Sequence, residues 1–225
     1  MLNTIKVWFK EKVSENDFFK TIATIIFYFI ISIFLSGFFI NFTRDINDIN
    51  YILTYVCIIL IFIKYHSYVL HGFKTLPSDI KKNYKSLLLI FVIGTLAVFG
   101  ITGLYNSVFH IEVTNEIEVE SLLKTTSLMP FIFGILAPIE EELAFRGVLP
   151  SLKSNKVVCG IISALLFATV HIITTPNIYI ALLYLIPYSI LGLMFSYGTV
   201  KTNNVLVSIL MHITYNCINI MLLFI

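Results

Sequence analysis

Residues 140–147 read Glu140-Glu141-Glu142-Leu143-Ala144-Phe145-Arg146-Gly147 and place three carboxylates and a guanidinium inside an otherwise apolar segment. A charged side chain at the centre of a bilayer costs roughly 2.5–3.5 kcal/mol on insertion scales. Four such groups would cost on the order of 10 kcal/mol, which is comparable to the whole stability of an ordinary domain. We therefore expect a chain that keeps this cluster to use it.

The composition around this stretch is that of a membrane protein. Of the 225 residues, 58% are hydrophobic and 12% are charged, whereas about a quarter of the residues of a soluble domain are charged. The formal net charge of +2 is too small to indicate nucleic-acid binding, and we expect none. The three cysteines lie far apart in apolar runs, a pattern that predicts neither a disulfide framework nor a cysteine metal site.

Seven apolar segments are long enough to be transmembrane helices, which need about 20 mainly apolar residues. They are Thr21–Phe42, Ile49–Leu70, Ser86–Phe109, Thr125–Leu149, Val157–Ile173, Ile178–Val200 and Asn203–Ile225. A turn signal at residues 174–177 separates the fifth from the sixth, and Pro138 and Pro187 should distort the fourth and the sixth. The sequence thus predicts an all-α polytopic membrane protein, a bundle of about seven transmembrane helices, or eight if a broken or re-entrant element surrounds Pro187.

The basic residues predict the orientation of this bundle. With a cytoplasmic N-terminus, all of the 15 lysines and arginines except Arg44 and Lys124 fall on the cytoplasmic side. The positive-inside rule therefore favours a cytoplasmic N-terminus and an external C-terminus. The loop His71–Lys85 is then the only sizeable cytoplasmic connection. We treat residues 1–225 as a single membrane domain, in which residues 1–120 carry no motif and residues 121–225 form a motif-bearing core.

The spacing within the charged cluster separates its carboxylates. Glu142 and Arg146 are four residues apart, share a helix face and can pair. A planar guanidinium can also grip a carboxylate with two parallel hydrogen bonds, which a lysine cannot do. Glu141 lies about 100° around the helix from Glu142 and is left to face a cavity.

Two later segments repeat the four-residue spacing with different side chains. Phe167 and His171 share a face of the fifth span, and His212 and Asn216 share a face of the last. Lipid would penalise these polar groups, so they should point into the bundle. A carboxylate near an imidazole can activate water, and a second histidine with an asparagine offers donors to an oxyanion or a further metal ligand. This chemistry suits hydrolysis of an acyl or peptide bond.

The depths in the membrane predicted for Glu141, His171 and His212 agree only in part. Glu141 and His212 both lie nine residues from a cytoplasmic span end, about 13 Å deep at 1.5 Å per residue. His171 lies 14 residues from Val157, about 21 Å deep by the same rise. We therefore expect the fifth span either to start nearer Gly160 or to be tilted.

The ordered set Glu-Glu-x-x-x-Arg, Phe-x-x-x-His and His-x-x-x-Asn resembles the CPBP family of intramembrane proteases. This family, also called Abi, includes the type II CAAX prenyl endopeptidases and proteins of bacteriocin processing and self-immunity. The resemblance covers roughly Met129–Asn216 and extends to the neighbouring stretches Ala137-Pro138-Ile139 and Leu191-Gly192. Other intramembrane proteases fit worse, because no aspartate lies in a predicted span and no His-Glu-x-x-His motif is present.

The resemblance also implies a role for each site residue. Glu141 and His171 would activate the attacking water, and His212 and Asn216 would stabilise the oxyanion. The site-structuring residues would be Glu142, Arg146 and Phe167. A different mechanism within the same family makes Glu141, His171 and His212 the ligands of a divalent metal such as zinc, and the sequence leaves that alternative open.

We therefore predict an integral membrane endopeptidase, placed in a bacterial plasma membrane because the sequence is rich in lysine, isoleucine and asparagine. It would cut a peptide bond near the cytoplasmic side of the membrane. Its partners would be membrane lipid and a substrate that is a peptide precursor or a membrane-protein segment. Two alternatives remain: a non-enzymatic self-immunity or regulatory protein that binds through the same cavity, and an ion-coupled transporter with a proton relay, although the sequence lacks the internal repeat that many transporters show.

Overall fold

The computed structural model describes residues 46–110, 129–153, 155–173 and 175–223, together with Ala23 and Leu123. Within these ranges the regular elements are helical and no strand occurs, so the predicted all-α class is confirmed. In chain order they are α1 (Ile46–Phe109), α2 (Met129–Phe131), a π-helical turn (Ile132–Leu136), α3 (Ala137–Arg146), a 3-10 turn (Leu149–Ser151), α4 (Lys156–Ile172), α5 (Ile178–Thr202) and α6 (Val205–Leu223). The predicted first span, Thr21–Phe42, and the orientation of the N-terminus lie outside the described residues, apart from Ala23.

Three of the described helices are long and apolar enough to cross a membrane, judged by length and composition. They are α5, α6 and the His66–Val108 part of α1, while α4 is apolar but only 17 residues long. The outer faces of α1 and α5 expose large apolar side chains such as Leu96 and Leu182. Broad apolar surfaces are rare on soluble monomers and suit contact with lipid. The total number of spans stays a prediction.

The longest element corrects the predicted division between the second and third spans. The segments Ile49–Leu70 and Ser86–Phe109 are parts of the single 64-residue helix α1, and the predicted loop His71–Lys85 is helical. At 1.5 Å per residue this helix is about 96 Å long. It therefore extends well beyond the hydrocarbon core of a bilayer, which is about 30 Å thick.

The residues of the predicted loop explain why the helix continues through it. Lysine is a good helix former, so the charge of this stretch does not end a helix. Pro77 removes one backbone donor, but the hydroxyls beside it bond to the backbone of the adjoining turn. Ser78 Oγ donates to Thr75 O at 2.7 Å, and Thr75 Oγ1 donates to Gly72 O at 3.4 Å. Neither bond reaches Phe73 O, the carbonyl that Pro77 leaves without a donor, so the helix continues with the loss of one backbone bond.

The distortion predicted ahead of the glutamates is confirmed. Pro138 has no N–H and cannot close an α-helical bond to Gly134 O. The residues before it form a π-helical turn, Ile132–Leu136, in which the Ala137 N–H donates to Ile132 O. Short π-helical turns of this kind often occur at functional sites.

The later helices agree with the predicted spans to within a few residues. The described part of the fourth span ends as a helix at Arg146, and the fifth, sixth and seventh spans correspond to α4, α5 and α6. The predicted turn between the fifth and sixth is present, and the Asn177 side chain caps α5 by accepting from Tyr179 N and Ile180 N. Pro187 lies inside the uninterrupted helix α5, so the alternative of a broken element there is wrong.

A two-residue link joins α5 to α6 and is fixed to α1. Asn203 adopts the left-handed conformation, with φ of 56°, that asparagine tolerates better than most residues. Asn204 caps α6 by accepting from Leu206 N at 3.0 Å. Its Nδ2 donates to Gly72 O and to Asp79 Oδ2, each at 2.9 Å. The level of the link along α1 is therefore set by residues 72–79.

Helix α5 is central to the bundle and packs against α1, α4 and α6. Its closest approach to α4 is at Gly192, where an added Cβ would lie 2.7 Å from Ala164 O and 2.8 Å from Ala164 Cα. Only glycine allows the two backbones to come this close. Helix α3 packs against α6 and α1 and is thereby enclosed by the bundle.

The two ends of the bundle differ in charge. We call the end at which α3 and α5 stop the lysine end, and the opposite one the far end. The contacts of Asn204 place the middle of α1 at the lysine end, whose described lysines are Lys74, Lys81, Lys82, Lys85, Lys153, Lys156 and Lys201. At the far end, the described parts of residues 98–110, 129–137, 171–188 and 213–223 contain no lysine or arginine. The predicted orientation would make the lysine end cytoplasmic.

Candidate functional site

The buried ion pair expected from the four-residue spacing is present. Arg146 Nη1 lies 3.0 Å from Glu142 Oε1, and both side chains are completely buried. The guanidinium does not grip the carboxylate with two parallel bonds. Its Nη2 donates to Gly192 O at 3.0 Å, and its Nε donates to Ser196 Oγ at 3.3 Å. Arg146 therefore ties α3 to α5 as well as to Glu142.

Three aromatic rings surround the guanidinium. Its Cζ lies 4.6 Å from the ring centre of Phe167, 5.5 Å from that of Phe145 and 5.9 Å from that of Phe195. Cations within about 6 Å of a ring centre are attracted by the ring. A buried charge is tolerated when its remaining donors are satisfied, and here a carboxylate, a carbonyl, a hydroxyl and three rings satisfy them.

His212 continues this buried network. Its Nδ1 lies 3.0 Å from Glu142 Oε1, the same oxygen that Arg146 contacts, and its ring stacks on Phe195 with centres 4.2 Å apart. Because a carboxylate only accepts, we assign the Nδ1 hydrogen to this bond. The other ring nitrogen, Nε2, then points toward Glu141, 3.9 Å from its Oε2.

His171 is oriented by the backbone of its own helix. Its Nδ1 lies 2.8 Å from Phe167 O, which can only accept, so Nδ1 carries the hydrogen and Nε2 carries the lone pair. That Nε2 lies 3.6 Å from Glu141 Oε2. The ring lies against Phe167, with centres 4.2 Å apart, and against Tyr188, with centres 4.8 Å apart.

The contact between His171 and Glu141 decides between the two explanations of their depths. Helix α4 begins at Lys156, directly after its cap Asn155, so a later start near Gly160 is wrong. The imidazole nevertheless reaches the carboxylate. Of the two explanations, a tilted α4 is the one that remains.

Glu141 is the carboxylate on which the site converges. Its side chain is 25% exposed, while its Oε2 is buried and has no hydrogen-bond partner in the part of the chain that the structure describes. Glu141, His171, His212 and Asn216 all line one cavity of about 500 Å³. The four residues that the sequence assigns to catalysis are thus brought together from α3, α4 and α6.

Asn216 is held in place by the proline that precedes the glutamates. Within the π-helical pattern, Phe133 O would receive the N–H of Pro138, which does not exist. Asn216 Nδ2 donates to this carbonyl instead, at 2.9 Å. A side-chain amide has two N–H donors, so one remains for a ligand in the cavity.

The same atoms can be compared with the ligands of a metal. One carboxylate and two imidazoles are a donor set of catalytic zinc sites, whose bonds of about 2.0–2.2 Å place ligand atoms about 3.3–3.5 Å apart. The distances of 3.6 and 3.9 Å from Glu141 Oε2 to the histidines are wider. In the described segments no group of three or more His, Cys, Asp or Glu is arranged to hold an ion. The donor chemistry fits zinc, but the spacing does not.

Several contacts of the site were not predicted from the sequence. The partners of Arg146 on α5, Gly192 O and Ser196, were missed, and so were the rings that pack on the histidines, Tyr188 and Phe195. Those two rings are seven residues apart and share one face of α5, a spacing that could have indicated them. Glu140 is buried and does not line the cavity.

Comparison with known proteins gives a match over the same region. Residues 123–218 match the family described as Rce1-like, type II CAAX prenyl endopeptidase, and this range contains every predicted site residue. Among curated proteins, the chain is similar to the UPF0177 protein YxdF of Lactococcus lactis subsp. lactis (strain IL1403), with 36% identity over 86 residues. The matched part is 38% of this chain and 45% of that relative, less than half of its length. No solved structure gives a significant match.

Proposed function

We propose that this chain, whose residues 123–218 match the family described as Rce1-like, type II CAAX prenyl endopeptidase, is a member of that family and an intramembrane endopeptidase. The family is one of peptidases. The observation that carries the proposal for this chain is the approach of two imidazole nitrogens to Glu141 Oε2 in a cavity between α3, α4 and α6. The rest of the mechanism follows from the hydrogen bonds that orient these groups.

Glu141 and His171 activate the attacking water. The carboxylate and the Nε2 lone pair both accept, so a water within hydrogen-bond reach of the two can donate one hydrogen bond to each. As the water oxygen bonds to the carbonyl carbon of the substrate, its proton passes to Glu141. The proton is then delivered to the amide nitrogen as the carbon–nitrogen bond breaks.

His212 and Asn216 stabilise the negative charge that develops on the carbonyl oxygen. Asn216 has a second amide N–H to donate. His212 can donate from Nε2 only as an imidazolium, because its Nδ1 hydrogen is directed at Glu142. Glu142, Arg146 and Phe167 act by holding this histidine and its neighbours in position.

The alternative in which Glu141, His171 and His212 bind zinc remains a separate proposal. A bound zinc would supply a Lewis acid and lower the pKa of its water. The wide spacing of the three residues gives no support to this alternative, and no step above depends on it. Sensitivity to a chelator separates the two mechanisms.

The position of the site indicates where along the membrane the bond is cut. His212 is the eighth residue of α6, about 10 Å from the start of that helix and about 16 Å from Leu223. The reacting groups thus lie nearer the lysine end, which the positive-inside rule predicts to be cytoplasmic. We propose a peptide precursor or a membrane-protein segment as substrate and a bacterial plasma membrane as location, since the relative in Lactococcus is bacterial.

The test is cleavage of a membrane-peptide library by the purified protein in lipid. The wild type is compared with Glu141→Gln and with the matched control Glu140→Gln, which changes the adjacent carboxylate that does not line the cavity. We expect cleavage by the wild type and the control and none by Glu141→Gln, with unfolding temperatures measured for all three. Cleavage that a chelator abolishes and zinc restores would assign the metal mechanism. A folded wild type that cuts nothing would contradict the proposal and leave the non-enzymatic alternative.

A further inference from the structure

Asn219 is a polar residue of α6 that the proposed mechanism does not use. It follows His212 by seven residues and Asn216 by three, so the three side chains share one face of the helix. All three line the cavity, and Asn219 lies about 4.5 Å beyond Asn216 along the helix axis. Its side chain is half-buried. Asn219 is therefore placed beside the reacting groups, one turn further along α6.

The hydrogen bonds of Asn219 differ from those of Asn216. Asn216 Nδ2 donates to Phe133 O, which lies before α3, at 2.9 Å. Polar side chains within membranes commonly hold two helices together by bonds of this kind. Asn219 Nδ2 instead donates to Tyr215 O of its own helix at 3.1 Å, and its amide makes no other hydrogen bond among the described residues. Asn219 thus does not join helices.

The bond to Tyr215 O leaves part of the Asn219 amide without a partner among the described residues. Because a carbonyl only accepts, the atom that faces Tyr215 O is Nδ2, and one N–H and the whole of Oδ1 remain. Many of the side chains that line the cavity beside it are apolar or aromatic, such as Phe99, Leu191 and Ile220. Burying an unpaired polar group in such surroundings costs free energy. A ligand that pairs with the amide is therefore favoured over one that only fills the space.

The backbone of an extended peptide offers the groups that pair with this amide. Each residue other than proline carries one N–H and one C=O. In a helix these groups bond to one another, whereas in an extended segment they are free to bond to a site. An extended chain rises about 3.3 Å per residue, so the distance of about 4.5 Å between Asn216 and Asn219 corresponds to one or two residues. A peptide that runs along α6 with its scissile carbonyl at Asn216 would place a nearby backbone N–H at Asn219.

From this position and this bonding pattern, we propose that Asn219 is a substrate-binding residue. Its Oδ1 accepts a hydrogen bond from a backbone N–H of the substrate, within two residues of the scissile bond. Because the bond is made to the backbone, Asn219 selects an extended peptide over a helical one and does not select the side chain at that position. This inference rests on the proposed peptidase function for the identity of the ligand, although the binding itself needs no catalysis.

The test is the binding of peptides to a variant that is expected not to cut them. The Glu141→Gln protein in lipid nanodiscs is mixed with fluorescent, end-blocked hexapeptides of apolar residues, and empty nanodiscs give the background. Adding Asn219→Leu should raise the dissociation constant about 2- to 13-fold, the effect of losing one hydrogen bond. Thr214→Val is the matched control, because Thr214 also bonds within its own helix, to Leu210 O, but does not line the cavity. Asn219→Ala is a second variant in case the leucine prevents folding.

Replacing single amides of the hexapeptide by esters identifies the bond, because an ester has no N–H. We expect one ester position to weaken binding when Asn219 is present and to have no effect in the Asn219→Leu protein. A double-mutant cycle between protein and peptide measures this coupling. A purely structural role of Asn219 would weaken amides and esters alike. Equal dissociation constants for Asn219→Leu and Thr214→Val, or equal ester effects with and without Asn219, would overturn the inference.

Binding and cleavage can fail separately. Hexapeptides that bind with the expected losses, together with a wild type that cuts no peptide, would contradict the proposed peptidase and leave the binding role of Asn219. A wild type that cuts peptides, with a KM that Asn219→Leu does not raise, would keep the peptidase and overturn the inference. Absence of binding by every hexapeptide would overturn the inference as well.

Discussion

Glu141 and Glu142 are neighbours in sequence, but they belong to different halves of the bundle. The closed half, toward the lysine end, holds Glu142 completely buried against Arg146 and His212. The open half, toward the far end, holds Glu141 partly exposed in the cavity, with an unpartnered Oε2 among the described residues. A rotation of about 100° along one helix separates the two environments. Adjacent residues of one type can therefore serve as an anchor and as a reactive group.

The largest expected effect comes from breaking the closed half. In Arg146→Met the Glu142 carboxylate stays buried without its cation, and removing one partner of a buried pair costs about 3–5 kcal/mol. We expect a large loss of folded protein, measured by thermal unfolding in detergent. The double variant Glu142→Gln with Arg146→Met should recover part of this stability, because no charge is then left unpaired. A single variant as stable as the wild type would show that the pair is not an anchor.

A smaller effect is expected where α5 crosses α4. Gly192→Ala places a methyl group against the backbone of Ala164, and overpacking of this kind costs about 1–3 kcal/mol. The resulting displacement of α5 from α4 should also move Gly192 O away from Arg146, whose Nη2 donates to it at 3.0 Å. Gly100→Ala is the matched control, since no neighbouring atom of the described residues lies within 4 Å of its added Cβ. Equal unfolding temperatures for the two variants would contradict the close approach.

A smaller effect still is expected in the open half, where Asn216 lines the cavity and bonds to Phe133 O. Asn216→Leu removes the bond to Phe133 O, and interhelical hydrogen bonds in membranes average about 0.6 kcal/mol. Pro138→Ala restores the missing backbone donor beneath that carbonyl. Asn216→Leu should therefore cost less stability in the Pro138→Ala background than alone, which a double-mutant cycle measures. Additive losses would mean that the proline does not determine the role of the asparagine.

The smallest expected effect on stability is at the reactive carboxylate itself. Glu141→Gln keeps the shape of the side chain and removes no hydrogen bond present among the described residues. We expect its free energy of unfolding to remain within about 0.5 kcal/mol of the wild type, as for changes away from buried networks. Glu142→Gln, one residue later, should be clearly less stable. Equal losses in the two variants would remove the distinction between the halves.

The sequence predicted those parts of the site that depend on local helix geometry. Residues four apart share a face, so the pairing of Glu142 with Arg146 could be read from spacing alone. Proline lacks a donor wherever it occurs, so the distortion before the glutamates was also predictable. The family match over residues 123–218 confirms the resemblance drawn from these motifs. The assigned catalytic roles and the division at residue 120 stay predictions.

The parts that could not be predicted depend on contacts between distant segments. The lysine-rich stretch between residues 71 and 85 has the composition of a loop, yet lysine is compatible with a helix. Hydrogen bonds from Asn204 to Gly72 and Asp79 hold this stretch against the bundle. The depth of His171 was uncertain because the tilt of a helix is set by packing and not by its own sequence. The rings of Tyr188 and Phe195 contact His171 and His212 only after α5 has packed against α4 and α6.

The π-helical turn has a consequence for insertions and deletions. A π-helical turn holds one residue more than the α-helical turn it replaces, so a chain lacking one residue of Ile132–Leu136 could close the segment as ordinary α-helix. Because the π-helical turn already absorbs that extra residue, the residues before it would keep their direction relative to Glu141. After loss of a residue between Phe133 and Ala137, Phe133 O would become the α-helical partner of Pro138 and would still lack a backbone donor, so Asn216 could keep its bond to it. Loss of a single residue at this point should therefore be tolerated without unfolding the protein.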